Sequence, residues 1–178
     1  MKIYLTAGHN HFDPGADAVD REHEADLTIE ARNGIAQYIP KEQLFVDPDE
    51  WQLHQLFLYL IQIVQPGDRV CDIHFNASDN AKATGVEVIV ADNAWPKTIA
   101  KAEQLALCIS TILRIPNRGV KKESETPHKK LAMMRYRGMC LLIEICFITN
   151  TDDWVSYQTH KEILWPEIAK ILTATQTA

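Results

Sequence analysis

The chain has 178 residues, 46% of them hydrophobic, and its 18 Lys and Arg against 24 Asp and Glu leave a net charge of −6. One domain accounts for that length, which is enough to bury about 70% of the surface an unfolded chain exposes. An acidic balance without any Lys/Arg block argues against nucleic acid or an anionic membrane as the main partner, because both are held by clustered positive charge.

In chain order, KIYLTAG at 2–8 alternates and ends in Gly, which predicts a strand running into a loop. A helix follows from Glu24 to Ile39, where Leu27, Ala31, Ile35 and Tyr38 recur at helical spacing before Pro40. A second helix is expected from Asp49, as its cap, through Leu53, Leu56, Leu60 and Ile63 to Pro66-Gly67. DRVCDIHFNAS at 68–78 reads as a buried strand and GVEVIVA at 85–91 as its neighbour in one sheet. Ile99, Ala102, Ala106, Ile109 and Leu113 mark a third helix after Pro96, and Asn117-Arg118-Gly119 reads as a turn. Beyond a polar stretch, LAMMR and CLLIEICF are two further strand candidates, and the chain closes with helix. Strands separated by helices predict an α/β fold in a single domain over residues 1–178, with a mostly parallel or mixed sheet.

Other features bound where such a chain works. No apolar run approaches the ~20 residues of a membrane span, so membrane insertion is not expected. MKIYLTAGHNHFDPG carries no apolar core followed by a small-residue cleavage site, so no secretory signal is expected either. Cys71, Cys108, Cys140 and Cys146 stand in apolar surroundings at spacings of neither a zinc knuckle nor a disulfide scaffold. They read as buried, reduced thiols, which fits synthesis in the cytoplasm.

Three polar residues fall at strand ends or helix starts, where α/β folds place ligands: His9, Glu24 and His74. Two neutral imidazoles and one carboxylate make a catalytic zinc set with the fourth position open. Their separations are long, and no HExxH motif is present, so spacing alone does not establish a metal; singly, each also reads as a packed histidine or a first-turn Glu. Glu144 is the most unusual residue. It interrupts the apolar run Leu141-Leu142-Ile143-Glu144-Ile145-Cys146-Phe147, where a carboxylate must be paired, near a metal or protonated, each a condition that suits a general acid/base. The plain structural alternative is a buried ion pair with Arg135 or Lys121.

Thr6-Ala7-Gly8-His9-Asn10, Asp13-Pro14-Gly15-Ala16 and Glu24-Ala25-Asp26-Leu27, in that order, resemble the opening of the zinc-dependent N-acetylmuramoyl-L-alanine amidases of the Amidase_3 type. Ile73-His74-Phe75-Asn76-Ala77-Ser78, Gly85-Val86-Glu87-Val88, Asn117-Arg118-Gly119-Val120-Lys121 and Ile143 to Asn150 continue the resemblance over about residues 3–170. It implies a twisted, mainly parallel mixed sheet with helices on both faces, and one Zn²⁺ on His9, Glu24 and His74. Glu144 would be the catalytic base for hydrolysis of the amide between N-acetylmuramic acid and L-alanine in peptidoglycan. It implies a bare catalytic domain without a cell-wall-binding domain. Such an enzyme would act in the cell wall or periplasm, in phage or prophage lysis or, alternatively, in wall remodelling after loss of a leader.

Residues 47–68, DPDEWQLHQLFLYLIQIVQPGD, lack the Arg and Ala-Asn usual in that family, which implies altered helix packing or substrate contacts with an intact centre. His11 and His23 compete as ligands, Glu22 competes with Glu24, His54 reads as surface or core, and His128 could meet substrate. Two other readings stay open: an inactive peptidoglycan-binding module of the same fold, and a zinc hydrolase of another acyl-amino-acid amide.

Overall fold

The computed structural model describes residues 1–175; residues 176–178, the last of the expected domain, lie outside the described residues. In chain order it comprises β1 (Ile3–Ala7), α1 (Glu24–Ala36), β2 (Leu44–Val46), α2 (Leu53–Ile63), β3 (Arg69–Asn76), β4 (Val86–Val90), α3 (Pro96–Leu113), β5 (Asn117–Lys122), β6 (Met139–Phe147) and α4 (Thr151–Thr173). Two 3₁₀ turns, Glu123–Glu125 and Ala132–Arg135, lie between β5 and β6. The strands form one sheet in the order β2-β1-β3-β6-β4-β5. All neighbours pair parallel except β4 and β6, so the α/β, mostly parallel expectation holds.

Side-chain alternation divides the sheet into two faces. Cys71 and Ile73 of β3, and Leu141, Ile143 and Ile145 of β6, face a large core roofed by α1, α3 and α4. Each fully buried Leu or Ile there contributes about 1.5–3 kcal/mol relative to exposure. The opposite face is covered thinly, by Leu56 and Leu60 of α2 and by Met133 and Tyr136 near the second 3₁₀ turn. It packs on Tyr4, Val70, Cys140, Leu142 and Ile89. Three helices against one leaves the thin face open toward the ends of β1, β3 and β6, and that opening holds the candidate site.

The structure corrects five local expectations. β3 and β4 share the sheet but do not pair, because β6 lies between them. Asp49 does not cap α2: it accepts from Arg32 Nη2 at 2.5 Å, and the helix starts four residues later, where the Gln52 N–H donates to the Gln55 side chain. LAMMR is not a strand but a 3₁₀ turn that buries Met133. Asn117-Arg118-Gly119 opens β5, and its turn-like sequence is absorbed by a bulge. Val86 to Val88 of β4 spans Asn117 to Val120 of β5, with Gly119 at φ +82°. Cys108 is half-buried, whereas Cys71, Cys140 and Cys146 are buried, and all four are free.

The atypical 47–68 segment is anchored from α1. Arg32, 2% exposed, donates to the Asp47 carboxylate at 2.9 Å and to the Asp47 carbonyl at 3.1 Å. Burial raises the Asp47 carboxyl to about 6 even though Arg32 opposes the shift. The same carboxylate accepts from the Ala7 N–H at 3.2 Å, which ties this segment to the chain just before His9.

Candidate metal centre

Parallel strands bring their C-terminal ends to one edge, and here that edge gathers the charged residues. His9 follows β1, while His74 of β3 and Glu144 of β6 are direct register partners. Glu24 is the first residue of α1, which starts over the same edge. Two glycines make the approach possible. A Cβ on Gly8 would lie 2.1 Å from His74 Nε2, and one on Gly15, at φ +68°, would lie 2.7 Å from Glu24 Oε2. Only a residue without a side chain lets the loop close this tightly.

Glu24 is 4% exposed and forms the hub. Its Oε1 lies 3.5 Å from His9 Nε2 and 3.4 Å from His74 Nδ1, and accepts from the Phe75 N–H at 3.1 Å. Its Oε2 accepts from the Ala16 N–H at 3.2 Å. Burial works to raise the Glu24 carboxyl, but the His74 hydrogen bond, both histidine charges and the Phe75 N–H outweigh it and hold the group below its ordinary range. One donor atom from each of His9, Glu24 and His74 lies within 4.8 Å of the others.

Carboxylates also flank the outer nitrogens, although His9 Nδ1 is buried without a hydrogen-bond partner. His74 Nε2 lies 3.4 Å from Asp72 Oδ2, and the other Asp72 oxygen accepts from Thr6 Oγ1 at 2.5 Å. His9 Nδ1 lies 3.3 Å from Asp13 Oδ2. Burial would lower His74, but the hydrogen bonds to Asp72 and Glu24 and the charges of Asp72 and Glu144 hold it well above the usual histidine value. Asp72 was not singled out from the sequence, although its position two residues before His74 in a strand places both on one face.

Glu144 stands apart from this cluster in chemistry. Its Oε2 is buried without a hydrogen-bond partner, so neither Arg135 nor Lys121 supplies the ion pair that would have made it structural. Burial raises its carboxyl to about 7; the charge of His74 opposes this, and Glu24, Glu87 and Asp72 add to it. The competing residues lie elsewhere. His11, Glu22 and His54 are exposed, and exposed His23 contacts Asp17 Oδ1 at 2.8 Å. His128 reaches the rim of the cavity, about 870 Å³, into which His9, Glu24, His74 and Glu144 open.

The chain resembles the N-acetylmuramoyl-L-alanine amidase from Clostridium difficile 630, at 19% identity and a TM-score of 0.78, over 96% of this chain and 94% of that one. The catalytic domain of the CD27L endolysin targeting Clostridia Difficile gives 23% and 0.74, over 97% and 96%. AmiC2 of Nostoc punctiforme, an N-acetylmuramoyl-L-alanine amidase, gives 18% and 0.77, over 96% and 94%. These likenesses establish the fold. No curated protein matches the chain by sequence. The sequence profile of the Amidase_3 family, described as N-acetylmuramoyl-L-alanine amidase, matches residues 3–170, and the chain therefore belongs to this family of peptidoglycan amide hydrolases.

Proposed function

We propose that the chain hydrolyses the amide between N-acetylmuramic acid and L-alanine with one zinc ion held by His9 Nε2, Glu24 Oε1 and His74 Nδ1. The carrying observation is a pair of distances. Zinc bonds of about 2.0–2.1 Å at tetrahedral angles put ligand atoms about 3.3–3.4 Å apart. Glu24 Oε1 lies 3.5 and 3.4 Å from the two imidazole nitrogens, close to that tetrahedral edge. Asp72, behind His74 Nε2, is placed to fix the tautomer that turns Nδ1 inward, while His9 Nδ1 has Asp13 Oδ2 3.3 Å away. Two of the three donor separations therefore suit the ion, and the third lies within 4.8 Å.

Bound there, zinc supplies Lewis acidity to the scissile carbonyl and to the attacking water. The protein's residues do the rest. Glu144, with a free carboxylate oxygen and a carboxyl raised to about 7, takes the proton from the water and returns it to the leaving amine of L-alanine. The 870 Å³ cavity is large enough for a muramyl peptide rather than a single amino acid. The cell wall is the site of action that such a substrate implies. Among the described residues, no helix is long and apolar enough to cross a membrane.

Two measurements test the ligand assignment. Zinc must displace the proton that Asp72 and Glu24 stabilise on His74, so zinc affinity should fall about tenfold for each pH unit below the raised His74 value. Competition against a chromophoric chelator at pH 6, 7 and 8 measures this; a flat affinity would remove His74 from the ligand set. Asp72→Asn removes the carboxylate behind His74 and should weaken zinc about 10–100-fold without unfolding the protein. Wild-type affinity in that variant would mean that Asp72 does not orient the ligand.

A further inference from the structure

The same cavity contains a cation that the hydrolytic centre leaves unused. Lys121 lines it from β5, half-buried, and its ammonium has no hydrogen-bond or ion-pair partner among the described residues. The other basic side chains there differ. Arg118 is committed: Nε donates to Glu87 Oε2 at 2.8 Å, Nη1 reaches the Thr84 carbonyl at 3.4 Å, and the guanidinium packs over Phe147 at 5.0 Å. Glu87 is in turn occupied by Asn76 Nδ2 at 3.0 Å, so it is not available to neutralise Lys121. His128 and Lys130 sit exposed on the rim.

Register fixes where Lys121 points. It pairs with Ile89 of β4, which pairs with Leu142 of β6, two residues before Glu144. Ile89 and Leu142 belong to the thin-face cluster, so Lys121 shares a face with Glu144. The separation is two strand spacings across, about 10 Å, and two residues along, about 7 Å, before the lysine arm reaches back. An extended peptide advances about 3.5 Å per residue, so a chain leaving the scissile nitrogen toward β5 carries the residue after L-alanine into reach of that arm.

We propose that Lys121 is the subsite for a free α-carboxylate on the second residue of the stem peptide, and so selects carboxylate over carboxamide at that position. This rests on the amidase reading, and the test separates the two. The probes are N-acetylmuramoyl-L-alanyl-γ-D-glutamyl-L-lysine and its α-carboxamide counterpart, titrated calorimetrically into zinc-loaded Glu144→Gln protein. The carboxylate form should bind about tenfold tighter, the scale of one charge-assisted hydrogen bond in a partly hydrated site. Adding Lys121→Gln should bring its affinity to that of the carboxamide, and adding Lys121→Arg should retain the preference. Equal affinity for both probes, or a preference that survives Lys121→Gln, overturns the subsite. Turnover of the same pair by the unsubstituted enzyme reports on the reaction alone. A binding preference with no amide cleavage would support the subsite while overturning the amidase reading.

Discussion

Glu144→Ala should retain one zinc per chain and lose turnover on peptidoglycan by about two or more orders of magnitude, the scale of lost acid/base assistance. The separation of the two effects follows from position. Glu144 is the register neighbour of His74, yet the three atoms that converge come from His9, Glu24 and His74. Its Oε2 is buried without a partner, so the alanine variant sheds a destabilising group and should melt no lower than the parent in the metal-free state. Zinc content by mass spectrometry, melting temperature and turnover read the three consequences independently. Equal loss of zinc and activity would make Glu144 a ligand and leave the reaction without its base.

His74→Ala should abolish activity by the other route. With one of three protein ligands gone, zinc affinity should fall about a hundredfold or more, from roughly 10 kcal/mol of binding shared over four positions. Two carboxylates, Glu24 and Asp72, lose their shared imidazole at the same time. The metal-free variant should therefore lose stability as well. In the parent, the raised His74 value means that this contribution is present below the ordinary histidine range and is lost as pH rises through the raised value. The parent's advantage in melting temperature over His74→Ala should accordingly shrink as the pH is raised. His11→Ala and His23→Ala are the controls, since both side chains are exposed and outside the convergent set. Loss of zinc in either would contradict the ligand trio.

Much of this was legible in the sequence because strong local signals coincide with tertiary ones. Glu144 shows as a charge in an apolar strand, and the two histidines sit at or just beyond the C-terminal ends of strands. The parallel sheet then gathers them at one edge. What escaped depends on partners far away in sequence. Asp49 looks like a cap until Arg32 of α1 is seen to hold it. LAMMR has strand-like composition but lies over the thin face, where burying Met133 needs only a single turn. β2 is three half-buried residues, too short to impose a period. Asp72 carries no motif of its own, and its place behind His74 follows from strand alternation together with Thr6 on β1.

The most direct test of the central claim is analysis of new termini in purified peptidoglycan after incubation with the zinc-loaded protein, with and without a chelator. Stem peptides bearing a free L-alanine amine, released only without chelator and without new reducing sugar ends, are the predicted result. Binding with no new termini, or reducing ends in place of free amines, would contradict it.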